Sequence, residues 1–211
     1  MNAVIRRAFS ASFETREEGD KGIIQGRPVI LNSRTNMGKF DEVIDAGALD
    51  ETDLTDVRLC LDHDTSYVYA RSRRNNGNST MQISKDAQGM SFSASLNIAS
   101  SPKAQDYFSA VKRGDMDTMS FMFTEDGVYW EDLESDHPTR HIAKIGTIFE
   151  FSCVTFPAYK ETSIQARDSS ALESIERELE SLRSQRAATL DSDKSLRIAR
   201  AKYEYTRKFK I

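Results

Sequence analysis

The chain is poor in cysteine, histidine, proline and tryptophan. Its two cysteines among 211 residues, Cys60 and Cys153, are too few for a disulfide framework or a four-thiolate zinc site. They suit a reducing compartment, with one disulfide between them left open. Four prolines and ten glycines exclude collagenous and low-complexity chains. No stretch approaches 18 apolar residues, so no membrane-spanning helix is expected. Arg6 and Arg7 interrupt the first 13 residues, which do not read as a secretory signal. Neither glycine-rich phosphate loop, GxGxxG or GxxxxGK[ST], is present. The GxSxG nucleophile elbow is absent too, so an α/β-hydrolase is not indicated. Excess positive charge is also lacking. The formal net charge is -4, from 29 Lys+Arg against 33 Asp+Glu, whereas phosphate-driven nucleic-acid binders are basic. No cofactor, membrane or specific nucleic-acid partner is therefore expected.

What is present is enough for one core. Hydrophobic residues make up 38% of the chain, with 11 Phe and 7 Tyr, which excludes global disorder. The composition changes near Asp168. Residues 1–168 carry 19 Lys+Arg against 26 Asp+Glu, and residues 169–211 carry 10 against 7 without Gly, Pro or Trp. Leu172, Ile175, Leu179 and Leu182 line one face of a helix of about three turns or more. A second basic piece, roughly 192–210, ends with Tyr203, Tyr205 and Phe209. This tail reads either as a solvated end or as a docking or coiled-coil segment.

The first 168 residues read mostly as strands. Phe9, Ala11 and Phe13 alternate with polar neighbours, as do Val57, Leu59 and Leu61, and Met119, Phe121 and Phe123. Ile23, Ile24 and Val29 to Leu31 flank Gly26. Met81 and Ile83, then Met90, Phe92, Ala94 and Leu96, predict a hairpin around Asp86 to Gly89. Ile145 to Phe156 is a long apolar run stopped by Pro157. One helix is signalled by Ser101-Pro102 at its start, by Ala104, Tyr107, Phe108 and Val111 on one face, and by Gly114 at its end. The expected fold is β-rich α+β: a closed or nearly closed β-barrel with a few packed helices, plus a helical C-terminal tail.

The chain has three histidines, His63, His137 and His141, so a general base must come from few candidates. His63 continues the alternation of Val57, Leu59 and Leu61, which predicts a core-edge position. There it is either a hydrogen-bonded structural histidine or a partly desolvated base. Ser120 faces away from Met119, Phe121 and Phe123 and would need such a base to act as a nucleophile. Glu150 shares a strand face with Ile148, Ser152, Val154 and Phe156, where a carboxylate is costly unless paired. Its partner is either an arginine, Arg58 or Arg71, or a catalytic imidazole. His137 and His141 have four-residue spacing but no third ligand at a diagnostic distance, so no metal is expected. Cys60 points away from the His63 face and Cys153 lies in an apolar run, which argues against a cysteine nucleophile.

These segments together resemble the tailed-phage prohead (capsid maturation) protease family over about residues 10–167. Phe40-Asp41-Glu42-Val43-Ile44-Asp45-Ala46-Gly47-Ala48-Leu49 resembles the family's F-E-x-I-x-x-G-A-F segment. Val57-Arg58-Leu59-Cys60-Leu61-Asp62-His63-Asp64 resembles its v-x-l-l-x-x-H-D strand, which carries the catalytic histidine. Gln88-Gly89-Met90-Ser91-Phe92 resembles the x-G-L-x-F turn. Lys112-Arg113-Gly114, followed by Met119-Ser120-Phe121-Met122-Phe123, resembles G-x-x-x-x-x-S-x-G-F, which carries the nucleophile. Residues Phe149-Glu150-Phe151-Ser152-Cys153-Val154-Thr155-Phe156-Pro157-Ala158-Tyr159 resemble l-x-E-v-S-l-V-t-x-P-A. Met122 stands where the family often has Gly, and Leu49 where it usually has Phe.

The resemblance implies a fold similar to that of herpesvirus assembly proteases and a serine endopeptidase with His63, Ser120 and Glu150 as its catalytic residues. His141 is the rival third member; backbone amides would stabilise the oxyanion, with Arg113 or Arg71 as further contributors. The implied substrates are the scaffold segment of the major capsid protein, or a separate scaffold protein, and the enzyme itself. The implied place is the assembling prohead in the host cytoplasm, and herpes-type relatives make a homodimer an option. Residues 1–168 would be the protease domain and 169–211 a docking or self-cleaved tail. A catalytically silent capsid-assembly factor on the same fold, and a small metal hydrolase using His137 and His141, are the competing readings.

Overall fold

The computed structural model describes residues 4–10, 13–155 and 169–209. Eleven strands and two α-helices follow in the order β1 (Val4–Ser10), β2 (Glu14–Glu18), β3 (Lys21–Ile30), β4 (Arg34–Asn36), β5 (Asp41–Ile44), β6 (Arg58–Leu61), β7 (Ala70–Arg71), β8 (Met81–Asp86), β9 (Gly89–Asn97), α1 (Pro102–Arg113), β10 (Thr118–Glu131), β11 (Thr139–Cys153) and α2 (Ser169–Phe209).

Two sheets enclose the core. The larger runs β1-β10-β11-β5-β4, with β6 also on β11 and β7 on β6; the smaller runs β2-β3-β9-β8. One edge of β11 carries β10. Its other edge is divided between two parallel partners, β5 against Thr139–Ile142 and β6 against Glu150–Cys153. The long β11 therefore organises both ends of the sheet.

The expected barrel is not closed by a continuous ladder among the described strands. The sheets instead meet at corners made of single hydrogen bonds. Leu31 N–H donates to Gln88 O and Asn32 N–H to Ile44 O (2.9 and 2.8 Å), and Thr80 N–H donates to Arg71 O while Ser95 N–H donates to Thr80 O (3.0 and 2.8 Å). Just before the first corner β3 has a register break against β9 between Gly26 and Val29, around Pro28, which has no N–H to give.

The β8–β9 hairpin forms where the sequence places it. Asp86 Oδ1 accepts from Gln88 N–H and Gly89 N–H at 2.8 and 3.1 Å. Gly89 has φ +137°, and a Cβ there would lie 2.1 Å from Val29 O, so only glycine fits. Helix α1 also matches its signals: the Ser101 hydroxyl accepts from Ala104 N–H, Pro102 opens the helix, and Gly114 ends it at φ 78°. Ala104, Tyr107, Phe108 and Val111 are its buried face.

The tail differs from the expected two pieces. Helix α2 is continuous over 41 residues, about 60 Å at 1.5 Å per residue, because no Gly or Pro interrupts it. Its first turns bury Ile175 against Met37 and Phe40, with Leu172 and Trp130 at the margin, and Leu179 is buried as well. Lys39 Nζ donates to Glu176 (2.7 Å) and Arg183 Nε to Leu133 O (2.9 Å). Residues 184–201 are exposed. Ala11, Phe156, Pro157 and the side chains of Tyr203, Tyr205 and Phe209 lie outside the described residues.

The larger sheet has a buried charge cluster. Arg7 on β1 donates to Glu42 on β5 (Nη2 to Oε2, 2.7 Å), and Arg140 on β11 donates to both Glu42 and Glu125 on β10 (2.9 and 2.6 Å). Two guanidinium groups and two carboxylates thus cancel across four strands, as burial demands. Burial pushes the Glu42 carboxyl up, but Arg7 and Arg140 outweigh it and hold it below its ordinary value.

Candidate active site

Two breaks in strand alternation build the site. The first lies on β11. Phe123 is opposite Ile148 and Phe121 opposite Phe151, with a register shift between Met122 and Phe123. Ile148 and Phe151, three residues apart, therefore both enter the core, as a bulge requires. Glu150 does not share the Ile148 face, contrary to simple alternation. It faces the other way, with Ser152 two residues on.

The second break lies after β6. Cys60 is the register partner of Ser152 and Leu61 that of Cys153. Asp62 and His63 then adopt φ +48° and +59°, a left-handed pair that ends the strand. His63 thus leaves the Leu59 face, where alternation had placed it, and turns to the side of Cys60 and Glu150.

This turn is tied to the end of β11. Asp62 N–H donates to Cys153 O (2.9 Å). Thr155 donates its N–H and its hydroxyl to the Asp62 carboxylate, each at 2.8 Å. His63 N–H donates to Ser152 Oγ at 3.1 Å. The His63 ring is hydrogen-bonded through Nδ1 to Glu150 Oε1, and Ser152 Oγ donates to Glu150 Oε2 at 2.5 Å. Glu150 is 1% exposed and His63 13%. A carboxylate so buried must be paired, and the imidazole is its partner. Arg58 and Arg71 bond Asp56 instead, at 2.9 and 2.5 Å.

Ser120 sits on β10 directly opposite Ser152. Opposed residues in an antiparallel pair share a face, with Cβ atoms about 5 Å apart. Ser120 is therefore on the side of Glu150 and Ser152, away from Met119, Phe121 and Phe123, which are core residues. It is 2% exposed, more enclosed than the outward or cleft position that alternation suggests. Ser120, Ser152, Glu150 and the turn at His63 thus lie side by side on three adjoining chain segments.

The other candidates lie elsewhere. His141 is nine residues from Glu150 along β11, about 30 Å of strand. It bonds Asp45 (2.7 Å) and Glu131 (3.3 Å) and stacks on Tyr129 with centroids 4.5 Å apart. His137 bonds Asp41 at 2.9 Å. The two share no acidic partner in these contacts, and among the described residues no group of three or more His, Cys, Asp or Glu could hold a metal. Arg113 is held by Asp115 at 2.9 Å and Arg71 by Asp56.

Cys60 and Cys153 are free and buried. Burial, and for Cys60 the nearby Glu150 charge, pushes both thiols up to about 12. Neither is poised as a thiolate nucleophile. Cys60 shares the Glu150 side through its register opposite Ser152, and the turn at Asp62 and His63 brings the imidazole to that side too.

Sequence patterning alone gives Ser152 no role. The signal was there: a second polar residue at i+2 from a buried glutamate must find a partner, and the glutamate is the nearest. The Asp62–Thr155 latch has no comparable local signal, since it joins residues 93 positions apart.

No helix among the described residues is long and apolar enough to cross a membrane. The profile of the family described as caudovirus prohead serine protease matches residues 11–177. No curated protein and no solved structure matches the chain.

Proposed function

The chain belongs to the caudovirus prohead serine protease family, and from that premise we propose that it is the endopeptidase of capsid maturation, with Ser120 as nucleophile, His63 as general base and Glu150 as the carboxylate that orients the imidazole. The observation that carries this reading is the bond between His63 Nδ1 and the buried Glu150, on the strand next to Ser120. With Nδ1 engaged by Glu150, Nε2 is the nitrogen for proton transfer.

The chemistry then follows the serine–histidine–carboxylate pattern. His63 Nε2 takes the Ser120 proton as Oγ bonds to the scissile carbonyl carbon. The resulting imidazolium gives that proton to the departing amine as the C–N bond breaks. Water hydrolyses the acyl-enzyme by the same relay. Glu150 stabilises the imidazolium at each stage. The two serine hydroxyls on this face have different partners: Ser152 is bound to Glu150, which leaves Ser120 for the substrate.

The proposed substrates are the scaffold segment of the major capsid protein, or a separate scaffold protein, and the enzyme itself, inside the assembling prohead in the host cytoplasm. In this reading residues 1–168 form the protease domain on a herpesvirus-protease-like, nearly closed barrel. Residues 169–211 form a tail for docking and self-cleavage. Docking on scaffold would raise the local substrate concentration without tight binding at the active site.

Co-expression with the cognate capsid protein tests this. Wild type is expected to shorten the capsid protein and itself, and Ser120→Ala to leave both intact, read by intact mass. If neither shortens the capsid protein or the enzyme, the reading as a silent assembly factor is favoured. If both cleave equally, Ser120 is not the nucleophile.

A further inference from the structure

Ser152 lies between the two groups that position the His63 ring. It is fully buried, on β11 between Cys60 on one neighbouring strand and Ser120 on the other. Its hydroxyl has one hydrogen and two neighbours. The first is the His63 backbone N–H at 3.1 Å. A backbone N–H only donates, so here the Ser152 oxygen accepts. Its own hydrogen therefore goes to Glu150 Oε2, at 2.5 Å.

With Oε2 engaged by Ser152, the other carboxylate oxygen is left to the ring. Glu150 Oε2 accepts from Ser152, and Oε1 faces His63 Nδ1. An ionised carboxylate has only acceptor sites, so Nδ1 must hold the imidazole proton and Nε2 keeps its lone pair. The bonds form a closed loop. It leaves His63 through the backbone N–H, passes through Ser152 and Glu150, and returns to His63 at the ring. Main chain and ring of one residue are thus held in a single frame. The positive φ of His63 makes such a tie necessary, since a non-glycine residue in that region needs support from its surroundings.

We infer that Ser152 is a positioning residue of this centre: it ties the His63 main chain to Glu150 and aims Oε1 at Nδ1, so that the carboxylate holds the imidazole tautomer whose Nε2 can accept a proton. The inference rests on the assignment of Ser120, His63 and Glu150 proposed above. A buried serine that merely satisfied its own hydrogen bonds would affect stability but not which ring nitrogen carries the proton.

The test uses the full chain labelled with nitrogen-15 at histidine, in a Ser120→Ala background that prevents self-cleavage. Ring-nitrogen shifts of His63 are recorded at a pH where the ring is neutral by titration in the same spectra. The parent is expected to hold the Nδ1–H tautomer, and adding Ser152→Ala to bring in the Nε2–H form. With Ser120 restored, Ser152→Ala should lower kcat about 10- to 100-fold and leave KM within about twofold. A pure Nδ1–H tautomer in the Ser152→Ala chain, or an unchanged kcat, overturns the inference. Should Ser152→Ala not fold, Ser152→Cys, whose thiol is a weak donor, is read by the same spectra and rates. Cleavage that survives Ser120→Ala would sink the protease reading instead, while the tautomer measurement still stands.

Discussion

Replacing Glu150 by glutamine tests the site most sharply, because shape is kept and only charge and hydrogen count change. Glu150 has two polar neighbours, the Ser152 hydroxyl and His63 Nδ1. The Ser152 oxygen already accepts from the His63 backbone, so its hydrogen still seeks an acceptor. The best pairing therefore turns the glutamine carbonyl to Ser152 and its NH2 to His63. Nδ1 must then accept, and the ring proton moves to Nε2. An Nε2–H cannot take a proton from Ser120. The opposite flip keeps the right tautomer but strands the Ser152 hydrogen in a buried site, which costs about 1–3 kcal/mol, and it still removes the charge that stabilises the imidazolium.

Both orientations lose rate. The loss when a triad carboxylate becomes an amide is about ten-thousand-fold, or about 5 kcal/mol at 1.36 kcal/mol per decade. Stability should move little, because an amide is easier to bury than a carboxylate. The assay is single-turnover cleavage of the cognate capsid protein, with the melting temperature of each variant measured beside it. A Glu150→Gln rate within about threefold of wild type would refute the reasoning. A large loss confined to His141→Ala would hand the third role to a residue about 30 Å of strand away, and the hydrogen-bond argument would fall with it.

Three further predictions concern the fold around the site. Glu42→Ala leaves Arg7 and Arg140 buried without their shared carboxylate, and should cost about 3–5 kcal/mol in denaturant unfolding; a loss under about 1 kcal/mol would mean that the cluster is not closed in solution. Its folded carboxyl is held below the ordinary value of 4.5, so its contribution is complete above that pH and is lost as pH falls through the lowered value. Acid unfolding should therefore shift to higher pH in Glu42→Gln. Trp130, the single tryptophan, meets Phe40 edge-on at 5.2 Å beside Leu172 of α2. Ile175→Asp with Leu179→Asp should undock the helix and red-shift Trp130 emission, and unchanged emission would show that the helix is not held there.

The sequence reveals much of the fold because its local signals agree. The α1 helix has its cap, proline, apolar face and stop in order, and each is realised. The β8–β9 turn is likewise dictated by Asp86 and Gly89. Other elements have no such signal. β2 is Glu14–Glu18, with almost all of it exposed, and its charged residues give no alternation to read. Short strands such as β4 and β7 exist because longer neighbours offer them an edge. The Arg7–Glu42–Arg140–Glu125 cluster joins residues up to 133 positions apart in a chain of 211, which no local pattern contains. Glu42 itself stood in an acidic motif, yet its partners are structural.

The site was legible as a set of residue types but not as an arrangement, and the reason is specific. Strict alternation placed His63 with Leu59 and Glu150 with Ile148. Two local departures then act in concert. The bulge on β11 takes Glu150 off the Ile148 face, and the left-handed pair Asp62 and His63 takes the imidazole off the Leu59 face. Had either occurred alone, one group would lie in the core and the other beside Ser120, and a carboxylate would be buried without its partner. Unpaired burial of that charge is prohibitive, so each departure is tenable only with the other. The Asp62–Thr155 and His63–Ser152 bonds hold the two segments together. Thr155 is thus expected to support the site from outside it, through the turn that aims His63 rather than through the chemistry.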